Sequence, residues 1–169
     1  MHSRIFQISD SPIAKSNYIT VENINDEEWF VNTVADYVQD TDREDSIDWF
    51  VKTYQSLECF IWEDDRNTFR LTHDFKSKFF HPGFNKLCQI AAHLNESLNN
   101  NKDAAFKDFV SGGSISFEIW RLKDITEPFG GFYVYYEPEQ ELMTIDVFMR
   151  YHAECGKRYY FGNVLDYHF

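Results

Sequence analysis

The chain has 169 residues, with 16 Lys and Arg against 28 Asp and Glu, a formal net charge of −12 and 43% hydrophobic residues, the profile of one acidic globular domain over 1–169. That charge repels phosphate and the few basic residues are scattered, so direct nucleic-acid binding is not expected, whereas a basic protein partner is electrostatically favoured. No apolar run approaches the roughly 20 residues of a membrane span, and Met1-His2-Ser3-Arg4-Ile5-Phe6-Gln7 lacks the apolar core of a secretory signal, so the chain is expected in the cytoplasm and away from membranes.

Arg4 to Ser9 reads as a short opening strand, ended by the turn residues Asp10-Ser11-Pro12. Asn25 with Glu28 has capping-box spacing, Ile24 and Trp29 are placed to staple it, and Phe30, Val34, Tyr37 and Val38 repeat at helical spacing. This predicts a helix over 26–39. Thr41 with Glu44 repeats the cap spacing ahead of Ile47, Phe50, Val51, Tyr54 and Leu57, which predicts a second helix over 42–56. With only Gln39-Asp40-Thr41 between them, the two are expected to fold back as a helical hairpin.

Cys59-Phe60-Ile61-Trp62 and Thr68-Phe69-Arg70-Leu71-Thr72 are aromatic and branched, with loop chemistry between them, and predict a β-hairpin. A short turn at 72–75 is expected to be broken at His81-Pro82-Gly83. A stronger helix follows, with Phe84, Leu87, Cys88, Ala91, Leu94, Asn95 and Leu98 on one face, stopped by Asn99-Asn100-Asn101. Lys102 to Val110 predicts one more short amphipathic helix through Ala105, Phe106, Phe109 and Val110, ended by Ser111-Gly112-Gly113-Ser114. Beyond Ser114 the pattern alternates, with strands predicted at 115–122, 131–136, 142–151 and 158–167. Turn residues at Glu127-Pro128, Glu137-Pro138-Glu139 and Glu154-Cys155-Gly156-Lys157 join them as an antiparallel meander. The expected class is α+β: an N-terminal helical hairpin and further amphipathic helices packed on a C-terminal antiparallel β-meander.

The densest charge cluster is Asp36, Asp40, Asp42, Glu44, Asp45 and Asp48. It does not match a calcium loop of EF-hand type, because counting from Asp40 puts Asp45 where the glycine belongs and Val51 where the bidentate Glu belongs. Carboxylates at a helix start are favoured by the helix dipole alone, so the cluster reads as a solvated cap or as a patch for a basic partner. His73-Asp74 has the pairing through which phosphohydrolases hold a divalent ion, but a dipeptide without further ligands at diagnostic spacing reads more simply as structural. His2, His152 and His168 show no clustering in the sequence. Cys88 lies on an apolar helix face without a cationic run to activate it, and the odd number of cysteines (Cys59, Cys88, Cys155) fits reduced thiols. Ser111-Gly112-Gly113-Ser114 lacks the lysine of a phosphate loop and is followed by a predicted strand, so it reads as a turn.

Aromatic residues, 17 Phe, 10 Tyr and 4 Trp, make up 18% of the chain. At about 150–250 Å² per buried ring, so small a domain fills its interior before it exhausts its rings. Tyr133 and Tyr135, on one face of the strand Phe132-Tyr133-Val134-Tyr135-Tyr136, are expected to join Arg158-Tyr159-Tyr160-Phe161 on a partly open aromatic surface. The sequence therefore points to a non-enzymatic acidic interaction module, immunity- or inhibitor-like. Asp40, Asp42, Glu44, Asp45, Asp48, Asp64 and Asp65 would steer a basic partner, and Tyr133 and Tyr135 would anchor it. No catalytic residue, metal ligand or cofactor is assigned. A metal-dependent hydrolase of a small or phosphorylated substrate, using His73 and Asp74, and a DNA mimic whose carboxylates imitate phosphates are the alternatives.

Overall fold

The computed structural model describes residues 1–63, 65–126 and 131–169. Asp64 and the turn expected at Glu127-Pro128 lie outside them. The described residues gather into two compact units, 1–79 with 131–169, and 80–126. Among them no helix is long and apolar enough to cross a membrane.

In chain order the elements are β1 (His2–Ser9), α1 (Val21–Asn25), α2 (Glu28–Thr33), β2 (Tyr37–Asp40), α3 (Arg43–Tyr54), β3 (Phe60–Trp62), β4 (Thr68–Leu71), α4 (Phe75–Asn100), α5 (Lys102–Val110) and α6 (Ser114–Thr126). They continue with β5 (Tyr133–Tyr136), β6 (Glu141–Thr144), α7 (Ile145–Val147), a π-type turn at Phe148–His152, and β7 (Arg158–His168). The class is α+β, built on a seven-stranded mixed sheet in the order β3-β4-β7-β1-β5-β6, with β2 also paired to β7.

The sheet is not the expected meander. β1 inserts between β7 and β5, running antiparallel to β7 and parallel to β5. The eleven-residue β7 organises the rest. One edge holds β1, while the other holds β4 against Arg158–Tyr160 and β2 against Leu165–His168. The predicted hairpin of β3 and β4 forms, with Phe60 opposite Leu71.

The N-terminal helical hairpin does not form either. Tyr37, Val38 and Gln39, expected to be helical, lie in β2. Aromatic and β-branched residues suit a strand, and the open edge of β7 supplies the backbone partners that a helix end would lack. The strand expected at 115–122 is helical in α6. The strand expected at 142–151 stops at Thr144, whose hydroxyl accepts the Val147 amide and starts α7. Ile145, Phe148 and Met149 are all buried, a helical spacing that the alternation reading passed over. α4 runs unbroken through Pro82, which removes one backbone donor without ending the helix.

Both faces of the sheet are covered. On one, Ile5, Tyr133, Leu142, Leu165 and Tyr167 pack with Ile24 of α1 and Phe30 of α2. On the other, Phe50 of α3 is fully buried with its ring centroid 4.8 Å from Phe6, 5.3 Å from Phe161, 5.7 Å from Phe60 and 5.7 Å from Phe132. This double covering is why the strands carry aromatic residues at successive positions.

In the second unit α4, α5 and α6 enclose a small centre of Ile90, Leu94, Ala105 and Ile115. Asn101 caps α5 by accepting the Ala104 amide at 3.0 Å.

Candidate functional site

The acidic segment occupies the end of β2 and the first turns of α3. Asp42 caps the helix, its Oδ1 accepting the Asp45 amide at 2.9 Å. Ser46, Ile47 and Phe50 face inward, which turns Asp45 and Trp49 outward one helical turn apart, with Asp48 half-buried beside them. Arg43 ties this end of α3 to β7 by donating to the carbonyls of Gly162 at 2.6 Å and Phe161 at 2.9 Å, and it also pairs with Glu44. Asp40 is exposed at the end of β2.

The remaining predicted residues divide. Asp48 binds Arg66 at 2.8 Å, which brings the β3–β4 loop to α3. Asp65 shapes that loop: its carboxylate accepts the Asn67 amide at 3.0 Å and the Thr68 hydroxyl at 3.1 Å. Asp64 is outside the described residues. Tyr133 and Tyr135 are not an open anchor. Tyr133 is 7% exposed in the core under α2, its centroid 4.8 Å from Phe30, and Tyr135 is half-buried against the same cluster. Tyr159 and Phe161, expected to join them, are buried too. The expected surface fails because α1 and α2 close that face of the sheet.

A different ring stands in the acidic segment. Trp49 is 40% exposed, its ring centroid 4.9 Å from that of Phe132 and the Arg4 guanidinium 5.2 Å from its centroid. Tyr37 and Trp29 are also exposed in this unit. The signal for Trp49 was in the sequence: with Phe50 on the inward stripe, its neighbour must point about 100° away. Beside α3 lies a cleft of about 450 Å³ whose lining includes Asp48, Lys52, Gln55, Trp62, Glu63 and Arg66. Its carboxylates are already answered, Asp48 by Arg66 and Glu63 by Arg70 at 3.2 Å and Arg158 at 2.8 Å.

Sequence spacing gave no sign of the charge ladder next to Trp49. Arg4, Asp166 and Gln39 stand side by side in the β1–β7–β2 register. Asp166 is 3% exposed and receives Arg4, His2 Nδ1 at 2.8 Å and Gln39 Nε2 at 2.8 Å. The same register sets His2 opposite His168, ring centroids 5.0 Å apart, with Tyr37 stacked on His168 at 5.1 Å, so two of the scattered histidines do cluster. An imidazole on a buried carboxylate has the geometry of a general base, yet the nearby Ser46 hydroxyl donates to the Asp42 carbonyl at 2.6 Å and accepts from Arg4 at 3.1 Å. Those bonds suit a structural brace.

The His73-Asp74 pair lies in the turn just before α4. Asp74 accepts the Thr72 hydroxyl at 2.7 Å and pairs with Lys78 at 3.2 Å, and the Thr72 hydroxyl chiefly holds its carboxyl below the ordinary value. His73 is exposed. Among the described residues no three His, Cys, Asp or Glu side chains gather as a metal site. The turn Ser111-Gly112-Gly113-Ser114 leads into helix α6 rather than a strand, but the amides there are engaged by Asp108, whose carboxylate accepts from Ile115 N at 2.8 Å.

Comparison with family models, with curated proteins and with solved structures finds no match to this chain.

Proposed function

We propose that this chain is a non-enzymatic interaction module, immunity- or inhibitor-like, whose sheet unit binds a basic protein partner through the start of α3. The observation that carries the reading is Trp49, half-open on the same helix as Asp42, Asp45 and Asp48. A partly desolvated tryptophan is the side chain most often found at the centre of a tight interface, and carboxylates around it favour a cationic rim on the partner. The charge distribution supports the same surface. Residues 80–129 hold five Lys or Arg and six Asp or Glu, so eleven of the twelve net negative charges belong to the sheet unit. That field speeds encounter with a basic protein and weakens as salt rises.

The test is capture from a cell lysate on the full chain at low and at high ionic strength. It runs beside Trp49→Ala and a triple Asp42→Asn, Asp45→Asn, Asp48→Asn variant, in which asparagine preserves the helix cap. A basic protein held at low salt, released at high salt and lost from both variants is the expected result. No salt-sensitive basic partner, or one that both variants retain, refutes the proposal.

A further inference from the structure

The helical unit leaves much of its apolar surface uncovered. α5 turns Ala105 inward but presents Phe106 and Phe109, 68% and 53% exposed, to the outside, where Leu98 of α4 and Ile119 of α6 stand 46% and 47% exposed. These four line a groove of about 510 Å³ floored by Leu94, Ala105 and Ile115. Lys102 is the one charged group among the described lining residues. Taking about 200 Å² for a large side chain, the four expose on the order of 400 Å² of apolar surface, the size of the largest patch on a typical monomer, which is often functional.

We propose that this groove is a self-association surface, occupied by the same groove of a second copy in a two-fold dimer. Three observations select that occupant. The first is charge: the helical unit is within one charge of neutral while the remainder of the chain carries eleven negative charges. Sheet units of two copies therefore repel one another, whereas two helical units add almost no repulsion of their own; a basic partner is drawn to the sheet unit instead. The second is area. The exposed groove residues amount to about half of the roughly 800 Å² that each partner gives to a stable interface, and with the polar rim of Asn99 and Lys102 this is the size of a weak, concentration-dependent contact. The third is shape. A two-fold contact needs a ridge and a hollow within one patch, and Phe106 with Phe109, spaced i and i+3 on α5, forms a ridge beside the hollow over Ala105 and Ile115.

This surface and the one around Trp49 obey opposite salt laws. Salt weakens a contact between acidic and basic proteins. It strengthens an apolar contact between two chains of charge −12, because it screens their repulsion and leaves the ring contacts in place.

The test is the mass of the full chain in solution, by sedimentation equilibrium over about a hundredfold range of concentration at low and high salt. The expected result is a species of twice 20.2 kDa that tightens with salt. Phe106→Glu and Phe109→Glu should each weaken it on the order of thirtyfold or more. Both side chains are exposed in the single chain, so circular dichroism should stay near the wild-type spectrum and Tm near that of the dilute, monomeric wild-type chain, and Asp45→Lys should leave the dimer intact. A 20.2-kDa species under every condition overturns the proposal, whatever is captured through α3. So does a dimer that dissolves at high salt or survives both glutamate substitutions.

Discussion

Arg4 and Asp166 face each other directly across β1 and β7, with the Asp166 side chain only 5% exposed and Arg4 21%. Removing one member of a buried pair leaves the other without compensation, which costs more than the pair itself contributes. Asp166→Asn is expected to lower stability by about 3 kcal/mol. Glu44→Gln deletes a pair whose carboxylate is 72% exposed and should cost under about 1 kcal/mol. Urea unfolding with unchanged m-values compares them, and equal costs would show that the ladder does not brace the sheet.

Trp49 and Phe50 are sequence neighbours with separate duties. Phe50 is fully buried among rings from β1, β3, β4 and β7. Phe50→Ala should therefore cost about 3–5 kcal/mol. Trp49, 40% exposed, should cost about 1–2 kcal/mol as alanine. The two variants are compared by chemical unfolding. A Trp49→Ala protein as unstable as Phe50→Ala would mean that Trp49 serves the core rather than the surface.

What the sequence made legible follows the range of the forces involved. α3, α5, β7 and the β3–β4 hairpin are specified by local caps, turn residues and periodicity, and they lie close to where those signals put them. β2, α6 and the segment after Thr144 were misread because a short aromatic or alternating run suits either state and tertiary contact decides it: β7 recruits Tyr37–Asp40, while Asp108 and the Ile90–Ile115 centre recruit α6. The acidic cluster was visible because its members are consecutive in the chain. Tyr133 could not be placed without knowing that α1 and α2 close its face, nor could the Arg4–Asp166–Gln39 row, whose members come from three strands brought together by register.

Burial pushes the Cys59 thiol up to about 11, whereas in the unfolded chain it ionises near its ordinary value. Between those values the folded state holds the extra proton, so stability falls as pH rises. The loss attributable to this thiol should approach about 2 kcal/mol by about pH 11. Tyr159, pushed up to about 12 by burial, adds to it in the same direction at the alkaline end. Cys59→Ala should flatten the decline between about pH 9 and 11, as read by urea unfolding across that range. A thiol reagent should meanwhile label the exposed Cys88 and Cys155 in the native protein and Cys59 only after unfolding. An unchanged slope in Cys59→Ala would remove the thiol from the account.

Asp108 closes the N-terminus of α6 from outside that helix. Its carboxylate accepts the Ile115 amide at 2.8 Å and the Ser114 hydroxyl at 3.3 Å, and the amide bond chiefly holds its carboxyl below the ordinary value. A carboxyl lowered in this way supports the fold above its unfolded value, and that support is lost as pH falls through the folded one. Gly113 permits the arrangement, since a Cβ there would come within 2.2 Å of Asp108 Oδ1. Gly113→Ala is therefore expected to displace the carboxylate and act as Asp108→Ala does. Each should speed hydrogen exchange at Ile115, Ser116 and Phe117 while leaving β7 amides protected. Because both substitutions remove one interaction, the double variant should exchange no faster than Asp108→Ala alone. Additive effects, or unaltered protection at Ile115 in Asp108→Ala, would show that α6 starts without this cap.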